Sequence, residues 1–354
     1  MALKKRICPL ETSHQKQIAI WLFICCFMVA GMVVIGGLTR LTGSGLSMVT
    51  WAPILGWLPP MSQDEWLIVF QHYQQSPEFM HVNSSMDVEG FKGIFWLEFI
   101  HRLFGRTIGL IFLLPFLYFI ARKLISSSLK PKLIFMFILG GLQGGMGWYM
   151  VKSGLSDDPR VSQYRLTAHL GLAILIYGYM MWVALGLYYG RQKEESAKSF
   201  PGLAAASTML TAIILLTLLS GGFVAGLDAG LIYNTFPLMD GNWIPDGYLD
   251  MQPHYLNFFE NIATVQFNHR LLAVVTMLLV LLFGRYALGQ ELEKRIKTII
   301  RLMLGMVVLQ VILGITTLIY VVPTPLASMH QAGALLLFTL SLLITHRLIN
   351  LRQG

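Results

Sequence analysis

Four of the nine histidines in this 354-residue chain, His101, His169, His269 and His330, fall near the starts of long apolar runs. Ionisable side chains within membrane-length segments are costly and are generally retained for function. The other five, His14, His72, His81, His254 and His346, lie in tails, in loops or at a helix end without such spacing. Two facing histidines at one depth of a helix bundle could serve a metal. Zinc takes three or four protein ligands, and no cysteine or carboxylate cluster accompanies these residues. Two imidazoles suit six-coordinate haem iron, where the porphyrin supplies the other four nitrogens. The simplest pairing is His101 with His169 and His269 with His330.

Glu98 stands three residues before His101, and Gln266 three before His269. An i, i+3 spacing puts each on the face of its histidine. A carboxylate there can act as a base or stabilise a cation; the amide can do neither. One site is therefore expected to do chemistry and the other to carry electrons. Arg102, Arg165 and Arg270 flank the histidines and could pair with haem propionates, or anchor the helix at the membrane interface. Gly140, Gly141, Gly144, Gly145 and Gly147 crowd one helix, giving room either for a macrocycle or for a neighbouring helix.

These residues need elements to position them. Apolar types make up 55% of the chain and charged types only 12%, against about 25% charged in soluble domains. Eight apolar runs of spanning length lie near 18–38, 100–121, 133–151, 166–188, 203–225, 268–288, 300–321 and 327–346. The first is too long for a cleaved signal peptide and lacks a small-residue cleavage site. With the N-terminus inside, 18 of the 26 Lys and Arg fall in cytoplasmic segments, as the positive-inside rule requires. The net charge of +8 is thus a topology signal, not a nucleic-acid signal. Both termini are then cytoplasmic and all four histidines lie near the outer side. The segments 39–94 and 226–262 become outer lids, with a short interfacial helix around 62–75. Cys8, Cys25 and Cys26 avoid these lids, so no structural disulfide is implied.

The chain also repeats itself. Gly36-Gly37 returns as Gly221-Gly222, Gly45-Leu46 as Gly230-Leu231, and Trp57-Leu58-Pro59 as Trp243-Ile244-Pro245. Phe99-Ile100-His101-Arg102-Leu103 returns as Phe267-Asn268-His269-Arg270-Leu271, Leu142-Gln143 with Gly147 as Leu309-Gln310 with Gly314, and His169 as His330. Order is kept, and spacing changes only across loops. The expected architecture is an all-α membrane protein of eight transmembrane helices, arranged as two parallel-repeat four-helix bundles, 1–190 and 191–354.

Several stretches are more specific. They are Gly36-Gly37-Leu38-Thr39-Arg40-Leu41-Thr42-Gly43-Ser44-Gly45-Leu46-Ser47, Glu98-Phe99-Ile100-His101-Arg102, Leu166-Thr167-Ala168-His169, Asn234-Thr235-Phe236-Pro237-Leu238-Met239, Asn268-His269-Arg270 and Met329-His330-Gln331-Ala332. In combination they resemble the haem A synthase family over essentially the whole chain. The resemblance implies a bacterial inner-membrane oxidoreductase that converts the C8 methyl of haem O to a formyl group, giving haem A for cytochrome oxidase, with water as oxygen source. It implies haem b on His269 and His330, substrate haem O on His101 and His169, and Glu98 as catalytic carboxylate. Haem O synthase is the implied donor; the electron acceptor is not named by any motif. Some relatives carry cysteine pairs in the outer loops. This chain has none, which places it with the proteobacterial and mitochondrial branch and excludes a cysteine relay.

Two other classes fit parts of the pattern. A di-haem b electron carrier, linked to quinol, would use both histidine pairs for permanent cofactors. A transporter would explain parallel repeats, but no span has a broken, polar-lined segment at mid-membrane depth.

Overall fold

The computed structural model describes residues 9–51, 56–156, 159–190 and 200–350; Cys8 lies outside them. Among the described residues ten α-helices follow one another: α1 Pro9–Leu41, α2 Gln63–Gln74, α3 Pro77–His81, α4 Val88–Ala121, α5 Lys130–Gly154, α6 Gln163–Tyr189, α7 Pro201–Gly226, α8 Ile262–Leu288, α9 Lys294–Ile319 and α10 Thr324–Asn350. Among the described residues, eight helices are long and apolar enough to cross a membrane. These are all but α2 and α3, so the protein is an all-α, multi-pass membrane protein.

Helix α1 packs on α4 and α6, and α5 on α6; α7 packs on α8 and α10, and α9 on both α8 and α10. This pattern fits two four-helix bundles. They meet where α1 touches α10 and where α6 touches α7 and α10. Polar bonds cross that seam. Gln331 Nε2 on α10 donates to Val33 O on α1 at 3.0 Å, and Tyr177 and Thr339 share a hydroxyl bond of 2.8 Å. At the lid end Arg40 pairs with Asp228 at 2.6 Å.

One element differs from expectation. The segment 88–94 is not loop but the first two turns of α4, whose start is capped by Asp87 accepting from Gly90 N at 2.8 Å. The apolar run starts later because these turns are amphipathic. Their Phe91, Phe95 and Phe99, at i, i+4 and i+8, form one ridge that packs against Trp66, Phe70 and Tyr73 of α2. Helix α2 occupies the place expected of the interfacial helix and starts with a capping box between Ser62 and Glu65. As a result His101 lies almost four turns inside its helix, whereas His169, His269 and His330 lie about two turns inside theirs.

Candidate haem sites

Each of the four histidines is half-buried, and each is seated in the same way. Its Cε1 edge lies against a glycine of the preceding spanning helix. A Cβ built on Gly36 would come 3.2 Å from His101 Cε1, on Gly147 3.1 Å from His169, on Gly221 3.2 Å from His269, and on Gly314 2.9 Å from His330. A Cβ at any of these positions would crowd the ring, most severely at Gly314. The repeat of Gly36 at Gly221 and of Gly147 at Gly314 was visible in the sequence; its purpose as a ring seat was not. By contrast, a Cβ on Gly140, Gly141, Gly144 or Gly145 would meet nothing within 4 Å, so no neighbouring helix takes up that room.

The ring nitrogens are also ordered by partners on the same helices. Thr39 Oγ1 is 3.3 Å from His101 Nδ1, and Ser220 Oγ is 2.7 Å from His269 Nδ1. Gln143 Nε2 is 3.2 Å from His169 Nδ1, and Gln310 Nε2 is 3.1 Å from His330 Nδ1. A hydroxyl that accepts from Nδ1–H, as Thr39 and Ser220 can, leaves Nε2 free for a metal; the amide nitrogens of Gln143 and Gln310 fix the positions of the other two rings. His101 and His169 are close enough to sense each other's charge, as are His269 and His330. Among the described residues no group of three or more His, Cys, Asp and Glu forms a metal-sized cluster.

The two halves diverge beside the first histidine of each pair. Glu98 is 3% exposed. Its Oε2 accepts from Ser47 Oγ at 2.6 Å and from Met48 N at 2.8 Å. Its Oε1 accepts from Arg102 Nε at 3.0 Å and Nη2 at 2.5 Å. Gln266, 2% exposed, keeps the arginine bond, with Arg270 Nη2 2.8 Å from Oε1. Its Nε2 instead donates to Ala229 O and Ile232 O, both at 2.6 Å. The first lid thus offers two donors to an acid, and the second offers two acceptors to an amide. Ser47 and the Met48 amide had no local mark in the sequence.

Two of the arginines tie their helices to lids, and the third ties α6 to α5. Arg102 donates to Thr50 O at 2.9 Å and Met48 O at 2.8 Å; Arg270 donates to Thr235 O at 2.8 Å and Tyr233 O at 2.5 Å. Arg165 donates to Tyr149 O at 2.9 Å and stacks 3.8 Å above the Tyr149 ring. Arg270 Nε is buried without a protein partner, an available donor for an anion.

The fold is that of a multi-pass membrane protein whose histidines are seated alike in both halves, one half with a buried carboxylate beside them. The profile of the cytochrome oxidase assembly protein family COX15-CtaA matches residues 19–342. The chain is 54% identical over 334 residues to the heme A synthase of Nitrosospira multiformis, covering 94% of each. It is 50% identical over 338 residues to that of Nitrosomonas eutropha, covering 95% of each. It is also 45% identical over 343 residues to Heme A synthase COX15 of Arabidopsis thaliana, covering 94% of this chain and 75% of that protein. The chain belongs to the haem A synthase family.

Proposed function

We propose that this membrane oxidoreductase converts haem O into haem A, for cytochrome oxidase, in the half formed by α1, α4, α5 and α6. His101 and His169 would hold the iron of the substrate haem, and Glu98, beside His101, would be the carboxylate next to the group that is oxidised. His269 and His330 hold haem b in the other half, which supplies one-electron transfer when bound. The donor set fits such a group: paired imidazoles with engaged Nδ1 atoms, glycine-backed rings, and the orphaned Arg270 Nε available to a propionate. Arg102 would share its charge between a propionate and the lid carbonyls it already holds, and Arg165 between a propionate and the Tyr149 carbonyl of α5. The related enzymes do not favour the electron-carrier reading.

One observation carries the assignment of roles: a buried acid is matched to donors in one half, and a buried amide to acceptors in the other. With both oxygens engaged by Ser47, Met48 N and Arg102, Glu98 is a fixed negative charge more than a free base. Such a charge stabilises positive charge developing at the reacting carbon. The lids face outward, both termini lie in the cytoplasm of a bacterial inner membrane, and the halves divide as 1–190 and 191–354. Haem O arrives from haem O synthase, and electrons leave to a membrane acceptor. Extracted haems test this: the parent protein should yield haem O or A besides haem b, and Glu98→Gln should yield haem O and haem b with no haem A. Haem A formation by the variant would overturn the role of Glu98.

A further inference from the structure

Gly37 follows the glycine that seats His101, and Gln331 follows His330. The two meet across the seam between the halves. Gln331 Nε2 on α10 donates to Val33 O on α1 at 3.0 Å, one turn before Gly37. A Cβ built on Gly37 would overlap the Gln331 amide oxygen. The bare backbone at Gly37 therefore lets an amide from the other half lie against α1. There it reaches a carbonyl that has a second lone pair beyond its own helix bond. The turn gripped in this way is the turn that positions His101. Gly36 backs the ring, and the buried Thr39 places Oγ1 3.3 Å from Nδ1. Arg40, the next residue, is held by the same half: Nη2 donates to Ala225 O at 2.7 Å and to Asp228 Oδ1 at 2.6 Å. Both groups that orient His101 thus lie between two polar attachments to the other half.

The reciprocal contact is different. Gly222 follows the glycine that seats His269 and faces α6, where a Cβ would come 3.0 Å from Thr167 Oγ1 and 3.5 Å from Leu170 Cδ2. Leu170 follows His169 as Gln331 follows His330. It has no donor to offer, and the Thr167 hydroxyl is buried without a partner. At this pair of positions the seam repeats its glycines but not its hydrogen bond. Helices in lipid are held together by close approach at small residues and by interhelical hydrogen bonds. The Gln331 contact supplies both at one point of α1.

We propose that Gln331 is a positioning residue of the substrate site, supplied by the opposite half: it sets the end of α1 and, through Gly36 and Thr39, the ring of His101. A ligand ring fixed by its supporting groups keeps its nitrogen aimed at the metal, and a ring whose support shifts does not. Gln331 is also one peptide bond from His330. The helix that carries a haem b ligand and the helix that carries a substrate ligand, α10 and α4, are thereby tied into one frame through α1.

This inference rests on the reading of His101 as a substrate ligand, and the test separates the two. The full-length protein, purified with its bound haem, is titrated with haem O. Affinity is read from the Soret change and spin state from low-temperature electron paramagnetic resonance. Gln331→Met keeps the length of the side chain and removes the donor. It should retain haem b with its parental spectrum and bind haem O roughly 3- to 30-fold more weakly, with a high-spin fraction where an axial nitrogen is lost. Leu170→Met, at the counterpart position, should leave both haems as in the parent. Parental affinity and spin state in Gln331→Met, or equal changes in the two variants, would overturn the proposal. Loss of haem b with unchanged haem O spin state, the mark of a merely structural role, overturns it too. His101→Ala checks the underlying reading. Low-spin haem O at parental affinity there sinks that reading and this inference with it; weak binding there beside parental binding in Gln331→Met sinks this inference alone. Should Gln331→Met fail to accumulate, Gly37→Ala decides the matter. Its methyl displaces the Gln331 amide and should give the same weakened, partly high-spin haem O, and parental binding overturns the proposal.

Discussion

The two halves differ least at their histidines and most in the loops above them. Glycine seats, Nδ1 partners and the arginine that grips the lid are all duplicated. The groups that meet residues 98 and 266 are not: Ser47 Oγ and Met48 N point hydrogens at Glu98, whereas Ala229 O and Ile232 O point lone pairs at Gln266. On the proposed assignment, constant histidines beneath lids of inverted polarity would separate what binding requires from what reaction requires: binding would use the helix framework, and reaction a loop that presents donors to a charge.

The largest effect that would test this comparison is on turnover. Glu98→Gln should lower haem A formation by roughly 100- to 10,000-fold, the scale of a lost acid–base or electrostatic group, with haem b absorbance intact. Next is the ligand contrast: His269→Ala should abolish the haem b spectrum, while His101→Ala should keep it and lose haem O binding. Equal loss from both would erase the division between halves. Smaller is the reverse swap, Gln266→Glu. It sets a carboxylate against two carbonyls and should cost about 1–3 kcal/mol of stability around the second lid, measured as a lower melting temperature with partial haem b loss. The smallest pair compares glycines. Gly314→Ala should displace His330 and broaden the haem b signal, whereas Gly140→Ala, with open space around it, should leave both spectra and rate unchanged.

The spanning helices and the four histidines were legible because lipid imposes length and hydropathy on every span, and duplication marks the positions that recur. The first two turns of α4 were not. Phe91 and Phe95 recur at helical spacing, but Glu89 and Lys92 interrupt the apolar run, so the segment reads as loop. The arginines were legible as cations at the histidine level, yet their hold on Met48, Thr50, Tyr233 and Thr235 carbonyls depends on lid paths that no local pattern encodes. The Ser47 and Met48 donors to Glu98 were hidden as well, since the direction of a loop hydroxyl or amide is a tertiary property.

The inverted lids also carry a historical consequence. If one ancestral half gave rise to both, changing residue 98 or 266 alone would have left either donor facing donor or lone pair facing lone pair. Each such intermediate is penalised before any new activity exists, so side chain and loop had to change nearly together. Once they had, return became equally steep. Under the proposed assignment the difference between the halves would thereby be ratcheted: drift at a single codon could not merge the two sites again, and divergence would be free to continue in the lids while the helices beneath them stay alike.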